Sequence, residues 1–119
     1  MTAFIWRVTA VCASNLPSID RLIDLLSVDL RSDDVPLWEI VWTLNTLAPA
    51  VALDEKIRLA RRVVAQRMSR TELWRGEWPG GPVAPVTESE MQALAHDDAP
   101  WHDPEHATLL VWLRDTDPA

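Results

Sequence analysis

Asp54-Glu55-Lys56-Ile57-Arg58-Leu59-Ala60-Arg61-Arg62-Val63-Val64-Ala65-Gln66-Arg67-Met68-Ser69-Arg70, followed without a break by Thr71-Glu72-Leu73-Trp74-Arg75-Gly76-Glu77-Trp78, is where the chain changes from a helical to an extended period. Wound at about 100° per residue, the first part places Ile57, Leu59, Ala60, Val63, Val64 and Met68 on one face. Arg58, Arg61, Arg62, Ala65 and Ser69 fall on the other, so three guanidinium groups are expected to share a solvent face. Asp54 and Glu55 at the start and Arg67 and Arg70 near the end match the sign of the helix dipole. The expectation is a helix from 53 or 54 to 69. The second part is rich in bulky residues and reads as a strand, and Pro79-Gly80-Gly81-Pro82 is a strong turn signal.

Charge is segregated around this stretch. Lys56 to Arg75 holds seven of the eleven basic residues with Glu72 as its one acid, a local charge of +6. The remaining ninety-nine residues carry four basic and seventeen acidic groups, a surround of −13 and a total of −7. A pI near 4.8 disfavours general affinity for phosphate surfaces, nucleic acid or membrane, everywhere except at the basic segment. One cysteine, Cys12, has no internal disulfide partner, which suits a reducing compartment and reads as buried filler.

Upstream, two further helices are expected. Pro17 resembles a helix start, and Ile19, Leu22, Ile23, Leu26 and Leu30 recur at spacings of three and four. Arg31-Ser32-Asp33-Asp34 breaks the pattern and offers Asp34 as N-cap of a second helix, with Pro36 in its first turn and its end near Leu47. Leu37, Ile40, Val41, Leu44 and Leu47 form its stripe, and Trp38 and Trp42, four apart, widen it. Both indoles are therefore read as core in preference to an exposed stacking platform of the kind single-stranded nucleic acids use. Phe4, Trp6 and Val8 alternate with Ile5, Arg7 and Thr9, so residues 1–15 are either a short strand or a leader; the run is too short and too interrupted to span a membrane.

Downstream, Val83 and Val86 flank Pro85 and are too proline-broken for a central strand. Thr87-Glu88-Ser89-Glu90 has the form of a capping box for a short helix to about Ala95. An acidic loop from His96 to Glu105 and a buried strand from Thr108 to Leu113 follow, then a polar tail over 116–119. No linker or repeat divides the 119 residues, which read as a single domain of α+β class.

The order helix, helix, helix, strand, turn, strand resembles the winged-helix family. The basic third helix running into Glu72-Leu73-Trp74-Arg75 looks like a recognition helix entering the first wing strand, and Val111-Trp112-Leu113-Arg114 looks like the closing strand. The resemblance covers roughly residues 17–119 and implies a three-helix bundle with a small antiparallel sheet, here with an extra short helix inserted in the wing. It also implies Arg58, Arg61 and Arg62 as DNA contacts in a major groove. The wing tip departs from the pattern: Glu77-Trp78-Pro79-Gly80-Gly81-Pro82 carries an acid and no basic group. Pro36-Leu37-Trp38-Glu39-Ile40-Val41-Trp42-Thr43-Leu44-Asn45 and Trp74-Arg75-Gly76-Glu77-Trp78 are also similar to stretches in small uncharacterised proteins of high-GC bacteria.

Motifs for catalysis are absent: there is no phosphate-binding glycine loop and no G-x-S-x-G, and the three glycines are at 76, 80 and 81. His96, His102 and His106, with Asp97, Asp98, Asp103 and Glu105, carry metal-binding chemistry in a spacing that matches no compact ligand pattern. The expectation is a non-enzymatic, cofactor-free cytoplasmic module, monomer or homodimer, acting on a protein partner as adaptor, regulator or inhibitor. Trp74, Trp78, Pro79 and Pro82 are its expected contact residues. A DNA-binding regulator using Arg58, Arg61 and Arg62 is the alternative, and an antitoxin or immunity protein covering a basic enzyme is the second.

Overall fold

In the computed structural model, which describes residues 15–116, Ser18 opens the first helix, α1 (Ile19–Leu30), by accepting the Arg21 N–H on its hydroxyl at 3.1 Å. Leu22, Leu26 and Leu30 then fall on one buried face, as their spacing requires. The strand-or-leader reading of residues 1–15 lies outside the described residues except for Asn15, and most of the 116–119 tail does too.

The second helix does not start at Asp34. Val35 and Pro36 form a short strand, β1 (Val35–Pro36), and α2 (Trp38–Leu47) begins after Leu37 with no side-chain cap. Proline disfavours the helical conformation in the residue before it, so Val35 is extended and its apolar side chain is buried in a sheet. Pro36 offers no N–H, which an edge strand tolerates. Asp34 is thereby released from capping and binds Arg114 instead.

Helix α3 (Leu53–Arg67) buries Ile57, Leu59, Ala60, Val63 and Val64. It tightens into a single 3₁₀ turn, Met68–Arg70, and passes directly into β2 (Thr71–Glu77). A hairpin joins β2 to β3 (Gly81–Pro85), with Glu77 paired to Gly81 and the register shifting between Arg75 and Gly76. Gly76 is required there, because a Cβ would collide with the Gly81 carbonyl. Gly81, at φ 89°, takes the conformation that L side chains avoid.

Thr87 and Glu90 form the reciprocal capping box of α4 (Glu88–His96). The acidic loop that follows is not all loop. Ala99–His102 makes one helical turn, α5, with Pro100 in its first turn and the Trp101 indole N–H donating to the Leu94 carbonyl at 3.0 Å. Burial of Trp101 against the core is what holds this turn in place.

The last strand, β4 (Leu110–Asp115), lies between β1 and β2 in an antiparallel sheet of order β1-β4-β2-β3. The described residues thus form an α+β fold of five helices and four strands. Val111, Leu113 and Leu73 face the helices and join Leu26, Ile40, Leu44 and Val63 in the core. Alternation along the strands sends the cross-strand pair Trp74 and Trp112 to the other face. The Pro-bearing β3 is an edge strand, as its composition demands. No helix among the described residues is long and apolar enough to cross a membrane.

Candidate functional site

The basic face of α3 is smaller than its helical wheel predicts. Arg58 and Arg62 are exposed, but Arg61 turns back across the helix toward α4 and α5. Its guanidinium donates to the Leu94 carbonyl at 3.2 Å and the Asp97 carbonyl at 3.1 Å, pairs with Asp98 at 3.0 Å, and lies 5.3 Å from the Trp101 ring centroid. The carbonyls at the C-terminal end of α4 attract a cation, so tertiary packing overrides the wheel position. Three guanidinium groups therefore do not share a solvent face.

Other basic residues of the same segment are engaged as well. Lys56 is 4% exposed and donates to Asn45 Oδ1 at 3.0 Å, tying α3 to α2. Buried Arg67 donates to Ser27 Oγ, the Arg70 carbonyl and Thr71 Oγ1, and lies 3.8 Å from the Asp115 carboxylate. Burial lowers the Arg67 guanidinium from its ordinary value, and Asp115 opposes that shift. Arg75 approaches Glu90 at 3.6 Å. The charge run is in large part internal fastening.

Trp38, Trp42, Trp78 and Trp112 form a cluster of rings. Trp38, 2% exposed, packs its ring 5.3 Å from that of Trp112. Two further indoles lean on Trp38: Trp42 at 6.4 Å and 59°, and Trp78 at 6.0 Å and 80°. These edge-on and tilted arrangements are those the ring quadrupole favours. Trp42 is 42% exposed and Trp78 69% exposed. Trp42 is thus not core, contrary to its reading from the i,i+4 spacing: it sits one turn beyond Trp38, where only part of the α5 segment covers it. Its indole N–H donates to the His102 carbonyl at 3.1 Å, which fixes the ring.

Trp38, Trp42 and Trp78, with Pro104 and Glu105, enclose a cavity of about 210 Å³. Glu105 lies beside His106, whose imidazole its carboxylate helps to raise, and His106 is held by Asp103 at 2.9 Å. That contact lowers the Asp103 carboxyl and raises the His106 imidazole from their ordinary values.

Of the expected contact residues, Trp78 and Pro79 are exposed and Pro82 is half-buried. Trp74 is half-buried beneath the Arg114 guanidinium, 4.0 Å from its ring centroid. Sequence reasoning assigned Trp42 to the core and Glu105 to a metal-binding constellation, and no local pattern showed that the two would line one cavity. His96, His102 and His106 do not converge, and no cluster of three metal-ligating side chains occurs among the described residues. A second cavity, about 290 Å³ and mostly apolar, lies between α3 and α4, with Met68 and Met91 exposed at its rim. No protein-family model matches the chain, and neither a curated protein nor a solved structure shows significant similarity to it.

Proposed function

We propose that this protein is a binding module of winged-helix type that recognises a protein partner through its tryptophan face. The winged-helix reading is supported by α3 running through one 3₁₀ turn into β2, and by β2 pairing with the closing strand β4. The insertion of β3, α4 and α5 between those two strands is the embellishment. An adaptor, regulator or inhibitor role is supported by the solvent-facing Trp78.

One observation carries the reading: Trp78 is 69% exposed while braced edge-on against buried Trp38. An indole held in one orientation with its area in water loses little entropy when a partner covers it, and tryptophan is the residue most enriched at binding hot spots. The DNA-binding alternative rests on Arg58 and Arg62, which remain exposed on α3. It is disfavoured by the inward turn of Arg61 and by the surrounding charge of −13. The acidic surround supports the antitoxin or immunity alternative only in its sign.

Affinity capture from the source lysate, run in parallel with Trp78→Ala and with Arg58→Ala/Arg62→Ala, tests the choice. The expected result is a partner retained by the unaltered protein and the double variant and lost by Trp78→Ala, with little change in melting temperature. Loss with the arginine variant alone transfers the function to α3.

A further inference from the structure

We infer that the cavity between Trp38, Trp42 and Trp78 is an aromatic cage for a methylated ammonium group. The inference rests on the tryptophan face being the binding surface and names the chemistry it reads. Trp38, 2% exposed, closes the inner end, and the accessible rings Trp42 and Trp78 lean against it at 59° and 80° as two walls set at angles. Ring faces carry negative potential and attract a cation whose charge is spread over methyl groups. Glu105 adds a carboxylate at the rim, beside His106, whose imidazole it helps to raise.

Competing occupants fit less well. Anions meet the Glu105 carboxylate and a protein of net charge −7. A neutral aliphatic group would cover the carboxylate without pairing it, which costs affinity. Bare ammonium and guanidinium ions bring several N–H donors, and among the described residues of the lining Glu105 supplies the one side-chain acceptor, since indole N–H groups only donate. A quaternary ammonium has no N–H to satisfy, so rings plus one carboxylate meet all its needs. At about 210 Å³, the cavity is below the range of drug-sized sites and suits a head group rather than a whole ligand. Trp42 is pinned by its bond to the His102 carbonyl, so that wall is in place before binding.

Two sources share this chemistry: a small quaternary ammonium compound and the methylated lysine of a protein. The full-length chain is titrated with choline, with its neutral carbon isostere, and with a short peptide bearing trimethyllysine or unmodified lysine, following the indole N–H NMR signals. Choline or the trimethyllysine peptide is expected to bind at least about tenfold more tightly than its neutral or unmodified counterpart. Glu105→Gln, an exposed change that keeps the fold, should reduce that preference several-fold; Trp78→Ala should abolish binding and Arg58→Ala/Arg62→Ala should leave it intact. Tighter binding of the peptide than of choline assigns the site to a protein partner, and the reverse assigns it to a metabolite. Equal binding of choline and its isostere, an unchanged preference in Glu105→Gln, or no binding of any methylated probe overturns the inference. If no methylated probe binds while Trp78→Ala still loses its captured partner, the cage falls and the interaction reading stands. If methylated probes bind while partner capture ignores Trp78→Ala, the interaction reading falls and the cage stands.

Discussion

Asp34 and Arg114, 80 positions apart, are joined by two parallel hydrogen bonds: Arg114 Nε donates to one carboxylate oxygen at 3.1 Å and Nη2 to the other at 3.0 Å. The pair ties the start of β1 to the end of β4 and sets the guanidinium over Trp74. Asp34 holds Arg114 above its ordinary pKa. Half-exposed pairs are weakened by solvent, but the bidentate geometry and the ring contact lift this one above the usual surface value. Asp34→Ala should cost about 1 kcal/mol in chemical denaturation. An unchanged midpoint would show that β1 is held by its apolar packing alone.

Trp38 and Trp42 lie one turn apart on α2, yet their substitutions should differ. Trp38→Ala removes a ring in contact with three other indoles and should cost about 3–5 kcal/mol. Trp42→Ala removes a half-exposed ring and one hydrogen bond, and should cost about 1–2 kcal/mol. Equal losses by urea titration would place Trp42 in the core after all.

Arg61 fastens α3 to the end of α4 and to α5. Arg61→Ala leaves two carbonyls without that donor and should cost about 1–2 kcal/mol. The loss should be local, read as faster amide exchange in α4 and α5 with α1 and α2 unaffected. Uniform acceleration across the chain would contradict the local role.

The Asp103–His106 pair has opposite shifts at its two ends. Because the folded His106 value is raised, its contribution is present at low pH and lost as pH rises through that value. Because the folded Asp103 value is lowered, its contribution is present above the ordinary carboxylate range and lost as pH falls through the lowered value. The pair is therefore strongest between those limits. An NMR titration should place the His106 midpoint above that of an ordinary histidine, and Asp103→Asn should lower it, with Glu105 retaining a smaller upward effect.

The amino-acid sequence by itself determined what depends on neighbours within a few positions. The apolar periods of α1, α2 and α3, the Thr87–Glu90 capping box and the turn before Gly81 all act over one or two turns of chain, and the apolar run expected at 108–113 gives a strand displaced to Leu110–Asp115. Only the tertiary structure decided the rest. Val35-Pro36 becomes a strand because β4, more than seventy residues away, offers an edge to pair with. Asp34 leaves its expected cap for Arg114, and Arg61 leaves its expected solvent face for the α4 carbonyls. Trp42 is half-exposed because the distant α5 segment covers only one side of it, and Glu105 joins the cavity through that same segment. Tertiary context overrides a cap or wheel position where the two compete, and no local pattern encodes which distant partner supplies it.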